Sequence, residues 1–221
     1  MPATKKLGLN MYWKTSEHHG LKHNPFSALV SPRPIGWIST YGPDGVPNLA
    51  PYSFFNAVSY APPQVMFSAG ARTGGEAAQT KDSVTNIEKR GCFVANLVTW
   101  DLRDAMNMSS AECPANINEF ELAGVTQEKA EMVDAPKVKE SPVHFECRFI
   151  KTIETLHAPG TLPNVIVLGE VVGIYIDDSV IEDGMVRYDR TQPISRLGYL
   201  DDYAATTDLF KMRRPDWPLK E

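Results

Sequence analysis

Seventeen prolines spread through 221 residues constrain this chain more than any other feature. Each proline fixes φ near about −65° and removes a backbone donor, so long helices and uninterrupted central strands have little room. The strand signals fall between these breakers. Ile35 to Thr40 reads as a strand, Gly42-Pro43-Asp44-Gly45 supplies turn chemistry, and the apolar pattern resumes at Val46, a hairpin signal. Gln64 to Ser68 follows the Pro62-Pro63 breaker as another short strand. Cys92 to Val98 is rich in β-formers and reads as a central strand.

The second half is more strongly β. Val143, Phe145, Cys147 and Phe149 alternate with His144, Glu146 and Arg148, a half-buried strand whose polar side leaves His144 solvated. The phase slips at the adjacent apolar pair Phe149-Ile150, which predicts a β-bulge and a bend. Val165 to Ile176 is apolar on both faces, with Gly169 and Gly173 marking a close approach by a neighbour or ligand. It holds Glu170 and falls well short of the ~20 apolar residues a membrane helix needs, so it is expected to be a buried strand.

Two short helices stand out. One begins near Asp82 or Ser83 with a small polar cap and ends at Lys89-Arg90-Gly91. The other runs from about Asp101 to Ser110, with Asp101 as cap and Leu102, Ala105 and Met106 on one face. Neither belongs to a regular strand–helix alternation, which argues against a doubly wound parallel sheet. Without repeats or linkers, residues 1–221 are expected to form one mainly β barrel domain with a few short helices. Its core is expected to span roughly 19–200, and the mixed, proline-flanked extension from Tyr203 onward suits an arm over a partner subunit.

The 22 basic and 27 acidic residues leave a net charge of −5, which argues against nucleic acid or an anionic membrane as the main partner. Cys92, Cys113 and Cys147 form no C-x-x-C pattern and read as reduced thiols of a cytoplasmic protein. Lys5 and Lys6 are followed by Asn10 and Lys14 rather than by a signal-peptide core. No G-x-S-x-G, P-loop or post-strand G-x-G-x-x-G is present, so a serine hydrolase or Rossmann dehydrogenase has no support. His18, His19 and His23 lack an H-E-x-x-H context, and no metal is expected. His157, in the loop Leu156-His157-Ala158-Pro159-Gly160, reads as a site residue or as plain surface.

Two stretches carry chemistry. Between residues 31 and 59, hydroxyls and amides interleave with Trp37, Tyr52, Phe54 and Phe55, as a site for a flat ring with a polar edge requires. The same pattern also describes an ordinary strand pair with one wet face. Lys81-Asp82-Ser83 opens the first helix, where unpaired N–H groups and a partial positive charge suit a phosphate. A capped surface helix would look the same. Arg33 and Lys81 supply two cations for one phosphate if the fold brings them together.

Several segments together resemble the flavin reductase-like family. They are His19-Gly20-Leu21, Asn24-Pro25-Phe26, Arg33-Pro34-Ile35-Gly36-Trp37-Ile38-Ser39-Thr40, Pro47 through Asn56, Lys81-Asp82-Ser83 and Asn96-Leu97. Ser141-Pro142, Glu146-Cys147-Arg148, Gly169-Glu170-Val171-Val172 and Arg196-Leu197-Gly198 extend the similarity over roughly residues 19 to 215. The resemblance implies an FMN-binding split β-barrel that works as a homodimer, closest to the longer members that accompany flavoprotein oxygenases. It implies that Ser53, Phe54 and Asn56 contact the flavin ring edge and ribityl chain, and that Lys81, Asp82 and Ser83 lie at the phosphate. Arg33 would face phosphate, Trp37 the ring or the dimer partner, and Ser39 the same first strand.

The activity so implied is NAD(P)H-dependent reduction of FMN, with NADH or NADPH as co-substrate and a flavin-dependent oxygenase or other acceptor receiving the electrons. The competing expectation is an FMN-binding or flavin-storage protein without turnover. No side-chain acid or base is required by such chemistry, so no catalytic residue is singled out. One departure bears on turnover. Short flavin reductases carry Gly-Asp-His before the last long strand, whereas this chain has Leu162-Pro163-Asn164, with His157 seven positions before Asn164. Tyr199 after Gly198, where longer members often have a second glycine, is a further departure.

Overall fold

Hairpins dominate the chain because turn residues recur at short intervals between β-forming runs. A computed structural model describes residues 11–72 and 80–217. The reading of Lys5, Lys6 and Asn10, and the end of the tail beyond residue 217, lie outside the described residues. β1 (Gly36–Tyr41) and β2 (Pro47–Tyr52) form the first hairpin. Its turn is closed by the Gly42 N–H donating to the Val46 carbonyl at 2.8 Å. Gly45 sits there at φ 78°, a left-handed conformation that costs glycine little. β3 (Phe55–Tyr60) and β4 (Pro63–Ala69) form the second hairpin, followed by β5 (Cys92–Asn96), β6 (Val143–Glu154) and β7 (Val165–Ile176).

These seven strands make one antiparallel sheet in the order β2-β1-β5-β6-β7-β4-β3. Strands β2 and β3 are consecutive in sequence yet lie at opposite edges of that order. Ser53-Phe54 therefore carries the chain across the gap where the sheet curls on itself, and β2 also approaches β4. Two irregularities bend the longest pair. Leu168 pairs with Lys151 and Gly169 with Phe149, which leaves Ile150 unopposed, at the slip expected from Phe149-Ile150. A second shift lies between Val171 and Gly173.

The barrel interior is filled by Ile38, Val65, Phe67, Phe93, Cys147 and Val167, with the Phe67 ring 4.7 Å from Tyr52 and 5.7 Å from Phe93. A second apolar cluster lies outside the barrel, where Trp37, Leu49, Val98, Met106, Phe120, Val138 and Ile194 pack together. Short helices bearing Met106 and Phe120 supply part of that cover, whereas the helix bearing Val84 and Ile87 packs on the first cluster. α1 (Asp82–Arg90) ends at Gly91, φ 74°, as its sequence signals require. Its N-cap is Lys81, whose ammonium can only donate and so makes no capping bond, while the Asp82 carboxylate turns to Arg72 and the Ser83 hydroxyl to Asn48.

α2 (Arg103–Met108) is shorter than the expected 101–110 and is not capped by Asp101. The preceding residues are held in a turn instead: Trp100 N–H donates to the Gln192 carbonyl and Leu102 N–H to that of Thr99. α3 (Glu119–Ala123), which no sequence signal singled out, is capped by Asn118, whose Oδ1 accepts the Phe120 N–H at 3.0 Å. Among the described residues, no helix is long and apolar enough to cross a membrane.

His144 is not solvated; it is 1% exposed. The polar side of β6 is covered by the segment 131–138, where the Glu146 carboxylate accepts the N–H groups of Glu131 and Met132. The His144 ring stacks on Tyr175 at 5.1 Å, and Nε2 lies 2.8 Å from the Val138 carbonyl. Burial and the charge of Lys137 hold its pKa below the ordinary value, against the opposing Val138 bond and the carboxylates Glu128 and Glu146. The unfolded chain binds a proton here below about pH 6.5 while the folded chain resists it. Stability is therefore full above that pH and declines below it, toward the depressed folded pKa. Melting at about pH 7.5 and about pH 5.5 checks this: His144→Gln is expected to lose less between the two than the wild type.

Candidate functional site

Where β2 ends beside the start of α1, the fold leaves a cleft. Asn48, Ala50, Pro51 and Tyr52 form one wall, Arg72 and Lys81-Asp82-Ser83 another, and Ser109–Glu112 with Glu119 the third. Three stretches far apart in sequence thus meet around two cations. Arg72 pairs with Asp82 at 3.1 Å and also donates to the Cys113 carbonyl. Lys81 pairs with Glu112.

Beneath these charges the cleft floor is tied down. Ser83 is buried and its hydroxyl accepts from the Asn48 amide at 3.1 Å. Burial raises the Tyr52 phenol to about 12, so it stays protonated at neutral pH. Glu119 is buried too; one oxygen accepts the Leu49 N–H at 3.2 Å and the other the Cys113 thiol at 3.6 Å. Burial raises its pKa from the ordinary carboxylate value, against the opposing hydrogen bonds from Leu49 and Cys113.

The residues expected at the site separate into three groups. Lys81, Asp82 and Ser83 line the cleft. Ser53, Phe54 and Asn56 continue from its wall along the edge-to-edge crossover, where Phe54 is 39% exposed and the Asn56 side chain accepts the Ala57 N–H. Arg33, Trp37 and Ser39 line no part of the cleft. Arg33 is buried, and its guanidinium donates to the carbonyls of Ser27, Val30 and Leu197, 5.7 Å from the Phe54 ring. These carbonyls occupy its terminal nitrogens, and the two cations that do meet are Lys81 and Arg72. Trp37 is fully buried and its Nε1–H donates to Ser109 at 2.8 Å, so it supports the cleft wall from below. Ser39 is buried between β5 and Pro136, donating to the Pro136 carbonyl at 2.5 Å and accepting from Asn96 at 3.0 Å.

Arg72, Glu112 and Glu119 were not foreseen. Each is a single charged residue without a local motif, and only tertiary contact brings them to Lys81. In the loop before β7, Asn164 uses its N–H and carbonyl on Thr155, whereas His157 is exposed with Nδ1 3.2 Å from the Ala158 carbonyl.

A family model described as "Flavin reductase like domain" matches residues 29–194. The chain belongs to this family. The seven-stranded arrangement is accordingly the split barrel of flavin reductases, as the sequence led us to expect. An uncharacterized protein of Aquifex aeolicus is 38% identical over 171 residues, covering 77% of this chain and 83% of that protein. Nitrilotriacetate monooxygenase component B from Bacillus cereus superimposes with a TM-score of 0.80 at 27% identity, covering 95% of this chain and all of that one. The 2-nitrobenzoate 2-nitroreductase NbaA of Pseudomonas fluorescens follows with a TM-score of 0.73 at 28% identity, over 87% and 89% of the two chains.

Proposed function

We propose that this flavin reductase-like protein binds FMN and reduces it with NADH or NADPH, delivering reduced flavin or electrons to a partner oxygenase or another acceptor. The observation that carries the reading is the meeting of Lys81 and Arg72 at the N-terminus of α1, one strand end away from Ser53, Phe54 and Asn56. A helix N-terminus with two cations suits a phosphate. The exposed crossover beyond Tyr52 offers an aromatic face and polar groups for a flat ring. The donor set therefore fits FMN. Bound FMN would supply the redox chemistry, taking a hydride from the nicotinamide and passing electrons on.

In this reading Lys81 and Arg72 hold the phosphate, and the crossover residues orient the ring. Arg33 acts from behind, fixing the backbone near Phe54 through its three carbonyl bonds. Trp37 keeps the 109–112 wall in place. The oxygenase link is supported by the likeness to a monooxygenase component B. A homodimer that covers the ring is supported by the exposed apolar side chains of Phe54, Leu209, Phe210, Met212 and Trp217. The three thiols, free in this fold, support a cytoplasmic setting.

Anaerobic mixing with NADH and with NADPH, following the visible flavin absorption, tests the activity. Bleaching by either nucleotide is expected, and sedimentation of the same sample should show a species of twice the monomer mass. FMN that binds but is reduced by neither nucleotide would leave a flavin-binding protein without turnover. If Asn164 stands where a nicotinamide-orienting histidine does in short reductases, Asn164→His raises the reduction rate on the order of tenfold with FMN affinity unchanged. A loss in His157→Ala instead would assign that role to the loop histidine, and a change below about twofold in both removes it from this segment.

A further inference from the structure

The segment after α2 is pinned at both ends and carries a carboxylate between the pins. At one end Ser109 is buried, accepting the Trp37 indole N–H and donating to the Met106 carbonyl at 2.8 Å. At the other the Cys113 carbonyl is held by Arg72. The intervening Ser110, Ala111 and Glu112 are exposed, and Glu112 reaches across the cleft to Lys81. Each cation in the cleft already has a carboxylate partner, Arg72 with Asp82 and Lys81 with Glu112, and of the two carboxylates Glu112 is the more exposed, 37% against 24%.

We infer that Glu112 is an internal competitor for the flavin phosphate, a carboxylate latch on Lys81 that the phosphate must displace. The inference rests on the phosphate reading above and adds what sets the affinity and release of FMN there. A phosphate entering beside an unmoved Glu112 would meet a like charge at close range. Every binding event therefore exchanges one ion pair for another, and only their difference appears as affinity. Glu112 is exposed between two anchors, Ser109 held by Trp37 and the Cys113 carbonyl held by Arg72. The consequence is a cofactor held loosely enough to leave, with Glu112 re-pairing to Lys81 as the flavin departs.

Fluorescence titration of FMN and riboflavin against the wild type and Glu112→Gln tests the latch. FMN is expected to bind about tenfold more tightly to the variant and to dissociate more slowly, with riboflavin affinity unchanged within about twofold. Glu112 lies at the surface of the cleft, and an unchanged melting temperature checks that the fold is intact. Wild-type preference for FMN over riboflavin together with no gain, or a loss, in Glu112→Gln would overturn the latch while leaving the phosphate site standing. Equal wild-type affinities for FMN and riboflavin would instead remove the phosphate site, and the latch with it.

Discussion

Lys81→Ala is expected to weaken FMN binding about 10- to 100-fold and to leave riboflavin binding nearly unchanged. A hydrogen bond to a charged group contributes about 1.5–3 kcal/mol, and the phosphate is the only difference between the two ligands in charge. In this protein Lys81 stands at the N-cap of α1, partly shielded from solvent, where the helix N-terminus adds to its attraction for an anion. Removing Lys81 also leaves the Glu112 carboxylate lining the cleft without the neighbouring ammonium, and its like charge opposes the incoming phosphate. Both effects act in one direction. Fluorescence titration of the two ligands measures them, and an equal loss for FMN and riboflavin would contradict the assignment of Lys81 to the phosphate.

A second large effect is expected far from the cleft. Gly169→Ala should lower stability by about 1–3 kcal/mol, a drop of roughly 2–12 °C in melting temperature for a chain of this size. A Cβ on Gly169 would lie 2.6 Å from the Phe93 ring and 3.3 Å from Cys147 Cβ. The Phe93 ring has nowhere to retreat, since it is fully buried against Phe67 in the barrel interior. Phe93→Leu made together with Gly169→Ala should recover part of the loss, because the smaller side chain vacates the contested volume. Losses that simply add would show that the two sites do not compete for space.

Particular residues show how far the sequence reaches. The α1 boundaries were legible because a helix of nine residues carries its own stop signal, Lys89-Arg90-Gly91. The bulge was legible because adjacent apolar residues at Phe149-Ile150 break a period of two, and a strand can absorb that only by adding a residue. Lys81-Asp82-Ser83 was legible as a helix start, which is a local property. His144, by contrast, alternates with apolar residues exactly as a solvated strand residue would. Its burial depends on the 131–138 segment, which no local pattern places over β6.

The same distinction divides the candidate site. Arg33 and Lys81 are both basic residues in family-like motifs, yet Arg33 closes a carbonyl cage at the base of residues 27–33 while Lys81 reaches the cleft. Trp37 and Ser39 sit on β1 in the stretch where hydroxyls interleave with aromatics, and both are buried, Trp37 bonded to Ser109 and Ser39 to the Pro136 carbonyl. By itself the sequence determined the β-rich class, the hairpins, the family and the helix start at Lys81-Asp82-Ser83. These follow from periodicity, turn chemistry and motif, which act over a few neighbouring residues. Only the tertiary structure decided that Arg72, Glu112 and Glu119 surround Lys81, because ion pairs and burial form between segments that the chain order leaves tens of residues apart.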